Sequence, residues 1–443
     1  MRGDRDLRGM TMRARMGTAV AGLALAFAAA CGSSSPADAT RGTYLGDAAF
    51  RRATLEASLV NPSNAYSQLR LAHYERDWDS MPEWNPPVEQ VAASELDAPG
   101  GAALDAAIGS SATPLAIDAA ALAADPDALR ALGESAFARY PMQLASDEAA
   151  VLHTRADAQR YGAWVDEVRG VGGLVRVKLA SGGVSIARTC ATCHVAIRGG
   201  SLAIGAPNEM FDLGRIAVDS SLPDDLELRA RMLAWGPGRV DVTTRFAREP
   251  VRIPDLRPVR GLTHLQADGT VKQNDLATLA VRIETLIITS HGETIRPPRV
   301  VALAIATYVW SLADALPSSA PATDDERRGE VYFGRTCAGC HTPPAFTGAP
   351  VDLAVVGTDP TIGLSSDRGT GKYRVPSLRG VSTRGPLLHD GSCPDLATMF
   401  DPARLAAGFR GGRHGDGPIV GHTFGLDADA TERAALVSYL RTL

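Results

Sequence analysis

The pattern Cys-x-x-Cys-His occurs twice in this chain of 443 residues, as Cys190-Ala191-Thr192-Cys193-His194 and as Cys337-Ala338-Gly339-Cys340-His341. Two cysteines on one turn, followed at once by histidine, suit covalent attachment of a c-type haem. Two sulfurs must reach the two vinyl groups of one porphyrin while the next imidazole meets its iron. The competing readings are a redox dithiol and a zinc site. Zinc prefers two cysteine pairs about 15 to 20 residues apart, whereas Cys190 and Cys337 stand 147 residues apart. The spacing therefore predicts two covalently bound haem c groups, with His194 and His341 as iron ligands.

The leader fits that chemistry. Arg2, Arg5, Arg8, Arg13 and Arg15 precede an apolar run from Gly17 to Ala30, too short to span a bilayer and suited to an export signal over residues 1–30. The run ends Ala28-Ala29-Ala30-Cys31-Gly32-Ser33, which resembles the lipobox of bacterial lipoproteins, with Ala28 where Leu is usual. An exported, periplasmic protein is expected, either anchored to the membrane through a lipid on Cys31 or released without one. The formal net charge is −5 and lysine occurs only at Lys178, Lys272 and Lys372. That balance argues against a nucleic-acid partner and leaves the possible lipid anchor as the only membrane contact.

The context of the motifs repeats as well. Gly329-Glu330-Val331-Tyr332-Phe333 ends four residues before Cys337, and Gly133-Glu134-Ser135-Ala136-Phe137 ends 53 residues before Cys190. In the longer interval, Leu174-Val175-Arg176-Val177-Lys178-Leu179 alternates like a strand and runs into Ser181-Gly182-Gly183, a turn. Each module closes with the same stripe: Ile305, Tyr308, Leu312 and then Leu436, Tyr439, Leu443, spaced i, i+3, i+7 as on an amphipathic helix. Pro317-Ser318-Ser319-Ala320-Pro321-Ala322-Thr323 separates the modules. The expected architecture is mainly α: an N-terminal extension over 31–126, a first cytochrome c-like haem domain over 127–316 with a small, partly β insertion, a linker at 317–323, and a second such domain over 324–443. The extension, with Trp78 and Trp84, reads as a packing cap.

Two haem motifs at this separation, with Tyr373-Arg374-Val375-Pro376-Ser377-Leu378-Arg379-Gly380-Val381 and Gly385-Pro386-Leu387-Leu388-His389-Asp390-Gly391-Ser392, resemble the bacterial dihaem cytochrome c peroxidase superfamily. The resemblance covers about residues 127 to 443. The superfamily also holds MauG-like enzymes and dihaem rubber oxygenases, so it implies a fold and not one reaction. It implies that Trp235, in Ala234-Trp235-Gly236-Pro237-Gly238-Arg239, relays electrons between the haems. The alternative for Trp235 is a plain core aromatic.

The departures matter equally. The family places a histidine over the first iron in an Ile-Gly-His segment, and this chain has Ile204-Gly205-Ala206. Alanine cannot ligate iron, so the first haem is expected to keep an open face unless Met210 or His264 fills it. The family's proton-moving glutamate stands in Asn-Pro-Val-Glu, aligned here with Pro250-Val251-Arg252, which puts Arg252 at its place and leaves Glu249 and Asp255 as substitute acids. Each of the two also fits a solvated loop charge. For the second haem the family supplies a methionine from the loop before the last helix, which this chain lacks; His422, in Gly421-His422-Thr423-Phe424-Gly425, resembles the distal histidine of the oxygenase-like branch, with Met399 and His414 as alternatives. A calcium ion between domains is usual in the family, and no segment here is recognisable as its ligand set.

Three function classes follow. The first is an exported, peroxidase-like dihaem oxidoreductase acting on hydrogen peroxide or dioxygen, with a small redox protein or another electron donor or acceptor as partner. The second is an oxygenase-like enzyme on an organic substrate. The third is a non-catalytic electron-transfer cytochrome.

Overall fold

The computed structural model describes residues 42–443 apart from 76–77, 98–103, 105–106, 221–224, 242–249 and 317. The leader, Cys31 and Glu249 lie outside the described residues. The chain is mainly helical, with several small antiparallel sheets. No helix among the described residues is long and apolar enough to cross a membrane.

Two helix pairs organise the molecule, and each is written in the repeated sequence. In the first, helix Pro126–Arg139 begins at Asp125, whose carboxylate accepts the Asp127 N–H, with Pro126 in the first turn. It packs on helix Arg299–Ser311. In the second, helix Asp324–Thr336 begins with a capping box between Thr323 and Glu326 and packs on helix Ala430–Leu440. The two contacts match atom for atom. A Cβ on Gly133 would lie 2.0 Å from the Ala304 carbonyl oxygen, and one on Gly329 would lie 2.1 Å from that of Ala435. Only glycine lets the helices approach so closely. Beside each glycine an aromatic pair closes the crossing, Phe137 on Tyr308 at 5.5 Å and Phe333 on Tyr439 at 5.4 Å between ring centres.

The closing helices differ in their surroundings. Ala430–Leu440 buries one face, through Ala435, Leu436, Tyr439 and Leu440. In Arg299–Ser311 every residue from Val301 to Ala306 is fully buried. Its apolar sequence runs all round because helix Leu276–Ser290 covers the side that the opening helix leaves free. An amphipathic stripe is thus only part of that helix's contact.

The expected β segment forms the hairpin Leu174–Lys178 with Val184–Arg188, Leu174 opposite Arg188 and Lys178 opposite Val184. It is the centre of a four-stranded sheet whose outer strands are Val88–Gln90 and Gln143–Leu144. The N-terminal extension therefore does more than cover a surface. It donates a strand to this sheet, and the Tyr44 hydroxyl donates a hydrogen bond to the buried Glu284 at 2.7 Å.

Candidate functional site

The hairpin delivers the chain directly into the first motif. Thr189 caps the short helix Cys190–Cys193 in a capping box with Thr192, and both hydroxyls donate to the Gly173 carbonyl, at 2.8 and 3.2 Å. Gly173 has φ +64°, and a Cβ there would lie 2.6 Å from the Thr192 nitrogen. The second motif instead hangs from the end of a helix, the Cys337 N–H donating to the Phe333 carbonyl at 2.8 Å. From there the two are alike. The His194 N–H bonds the Cys190 carbonyl at 3.0 Å, and the His341 N–H bonds the Cys337 carbonyl at 2.9 Å.

Each imidazole is also oriented in the same way. Nδ1 of His194 donates to the Pro254 carbonyl at 3.1 Å, and Nδ1 of His341 donates to the Phe346 carbonyl at 3.1 Å. A histidine so bonded keeps Nε2 unprotonated for a metal. Burial pulls both imidazoles down to about 4, so they are neutral near pH 7. Burial pushes the Cys190 thiol up to about 12 and those of Cys193 and Cys337 up to about 11. None of the five described cysteines forms a disulfide.

Both motifs open into one cavity of about 560 Å³ with largely apolar walls. His422 lines it opposite His341, their ring centres 6.4 Å apart. Imidazole nitrogens bind a metal at about 2.0 to 2.1 Å, so the gap between the two rings is wide enough for one metal ion. His422 is held in place by an unusual device. Its backbone sits at φ +43°, its N–H donates to the Val356 carbonyl at 2.6 Å, and its carbonyl accepts from Arg404 at 2.9 Å. Arg404 is fully buried and also serves the carbonyls of Met399, Ile419 and Gly421. Met399 lines the cavity too, whereas His414 lies outside its wall and bonds the Asp390 carbonyl at 2.9 Å.

Around His194 the arrangement is different. Met210 is 62% exposed, and neither it nor His264 belongs to the cavity wall. Ala206 is buried and brings no ligating atom. Asp255 lines the cavity as the partner of Arg257, Nη2 to Oδ2 at 2.6 Å. Burial alone would raise its pKa, but the Arg257 hydrogen bonds and the charges of Arg384 and Arg257 outweigh this and hold it below its usual value. An ionised, paired carboxylate is a poor proton donor. Trp235 is 3% exposed among Ala217, Val218 and Met232, outside the cavity wall, with its carbonyl bonded by Arg239.

Three cavity residues are cationic: Arg252, already marked by its place in the family pattern, and two that the motifs did not single out. Burial pulls Arg252, Arg374 and Arg384 down to about 10, and each has a buried guanidinium nitrogen without a hydrogen-bond partner: Nη1 of Arg252, Nε of Arg374 and Nε of Arg384. Buried unpaired cations call for anions. The carboxylates of a tetrapyrrole are the right chemistry, so the donor set fits two haems in thiols, imidazoles and counter-charges alike. Arg374 lies inside the Tyr373-to-Val381 segment, where only the family pattern marks it.

No family model matches the chain. Among curated proteins, the chain is 26% identical to the methylamine utilization protein MauG of Methylorubrum extorquens over 257 residues, 50% of this chain and 63% of that protein. That relative is the likeness expected of a chain resembling the bacterial dihaem cytochrome c peroxidase superfamily. The chain spans less than two thirds of that curated relative's length. Among solved structures it is similar to the diheme peroxidase BthA from Burkholderia thailandensis, with 16% identity, 82% of this chain and 94% of that one covered, and a TM-score of 0.35. A MauG-like protein associated with microbial copper homeostasis is similar at 19% identity, with 47% and 78% covered and a TM-score of 0.33.

Proposed function

We propose that this protein is an exported dihaem c-type oxidoreductase with peroxidase-like chemistry at its first centre and electron storage at its second. Residues 127–316 would hold one haem through Cys190, Cys193 and His194. Residues 324–443 would hold the other through Cys337, Cys340 and His341, with His422 as distal ligand. The leader and Cys31 would place it in the periplasm, free or lipid-anchored.

The observation that carries this reading is the asymmetry of the two histidines. His341 faces His422 at 6.4 Å, while Met210 and His264 stay outside the wall that His194 shares. A bound haem supplies one-electron and oxygen chemistry. The chain's own residues orient His194 and His341, exclude water with leucine and isoleucine side chains, and balance negative charge with Arg252, Arg374 and Arg384. Arg252 in the place of the family's acid favours a second reading, in which dioxygen is the oxidant and an organic compound is oxygenated. Arginine does not give up a proton near pH 7.

An electron paramagnetic resonance spectrum of the oxidised protein tests the proposal. One high-spin and one low-spin ferric haem are expected, with cyanide converting only the first. Two low-spin haems that refuse cyanide would make the protein an electron carrier. Peroxide turnover with a reduced small cytochrome separates the peroxidase from the oxygenase.

A further inference from the structure

We propose that electrons pass between the two centres through the Arg252–Pro254 backbone and the stacked rings of His389 and Tyr373. The inference rests on the two-haem reading and names the residues of its internal electron path. Tunnelling through protein is fastest along covalent and hydrogen bonds and along stacked rings, and slows at every jump through empty space.

A continuous route of that kind joins the two metal-facing histidines. From His194, Nδ1 bonds the Pro254 carbonyl at 3.1 Å. Two residues back, the Arg252 N–H crosses the seam between the halves and bonds the His389 carbonyl at 3.0 Å. The His389 ring lies on the Tyr373 ring, centres 4.3 Å apart and planes 20° from parallel. Both side chains line the shared cavity. From Tyr373 the chain runs to Val375, whose carbonyl accepts from the Thr347 hydroxyl. The residue before Thr347 is Phe346, the carbonyl partner of His341 Nδ1. Each step is a bond, a hydrogen bond or a ring stack.

The position of Tyr373 favours mediation without a radical. Its hydroxyl donates to the Asp359 backbone carbonyl, which cannot take up a proton. One electron leaves the second centre and one arrives at the first; neither ring is oxidised, and no proton moves. Trp235, embedded among aliphatic side chains outside the cavity wall, offers the rival route.

The test uses the full-length holoprotein in its half-reduced, carbon monoxide-bound state, with electron redistribution between the haems followed after flash photolysis. Haem count, spectra and both reduction potentials are recorded first for each variant. His389→Gln and Tyr373→Leu should each slow redistribution by an order of magnitude at unchanged spectra and potentials, while Tyr373→Phe, which keeps the ring, should retain the rate. If Tyr373→Leu fails to fold, His389→Gln, at a half-buried position, decides alone. Wild-type rates in the His389 and Tyr373 variants would overturn the path and leave the two-haem enzyme standing, and slowing in Trp235→Phe would then assign the route to Trp235. A wild-type protein without two haems would overturn both.

Discussion

The two halves of the molecule share their machinery on one side of each motif histidine and differ on the other. Gly133, Ala304 and Tyr308 in the first half correspond to Gly329, Ala435 and Tyr439 in the second, and each histidine gives Nδ1 to a backbone carbonyl. Opposite the histidines the likeness ends. The second half closes its site with His422 on a loop clamped by Arg404. In the first half neither Met210 nor His264 belongs to the cavity wall, and the buried Ala206 brings no ligating atom. On the proposed reading the duplicated frame would fix a cofactor, and the unduplicated wall would decide what that cofactor can meet.

His422→Ala should break the comparison most completely. With the second imidazole gone, both sites present an open face, so the low-spin ferric signal disappears and cyanide binds with a stoichiometry of two in place of one, as read by optical titration. Arg404→Leu comes next. Four carbonyls lose their buried donor, and at about 1.5–3 kcal/mol for each hydrogen bond to a charged group the unfolding free energy should fall by about 3 kcal/mol or more. Urea denaturation measures the loss, and the His422 signal should become heterogeneous while the first site's stays sharp.

Alanine at the two equivalent glycines sharpens the comparison. Gly133→Ala and Gly329→Ala each force a methyl against a helix carbonyl, at an expected cost of about 1–3 kcal/mol. The first should suffer more, since Arg299–Ser311 is enclosed by packed neighbours and Ala430–Leu440 can shift toward solvent. The smallest effect concerns His291, whose ring meets Trp84 edge-on and bonds the Pro141 carbonyl. Burial pulls its pKa below the ordinary value, and the Pro141 bond offsets this only in part. The unfolded chain takes up a proton at about pH 6.5. The contribution of neutral His291 is therefore complete above that pH and is lost as pH falls toward the lower folded value. His291→Phe should flatten that acid slope in denaturation midpoints taken at neutral and mildly acidic pH.

Much of this was readable before any coordinates. The two motifs, the glycine-to-phenylalanine repeat and the hairpin between Phe137 and Cys190 all rest on spacing of a few residues. Other features escaped for physical reasons. The strand Val88–Gln90 pairs with a segment more than eighty residues away, and three residues carry no periodicity. The stripe Ile305, Tyr308, Leu312 suggested one buried face, but an apolar helix does not reveal how many neighbours will cover it. Arg374 and Arg384 look like ordinary surface charges in a string of letters, and only burial beside an apolar cavity makes them counter-ions in waiting.

Motif spacing, helix pairing and the resemblance to the superfamily follow from local pattern, because thiol spacing, capping and close helix contact are set by neighbours in the chain. The pairing of His422 with His341 at 6.4 Å and the placing of Arg252, His389 and Tyr373 along one seam do not. Those contacts join residues far apart in sequence, and they exist because packing the halves around one cavity brings their backbones within hydrogen-bonding reach.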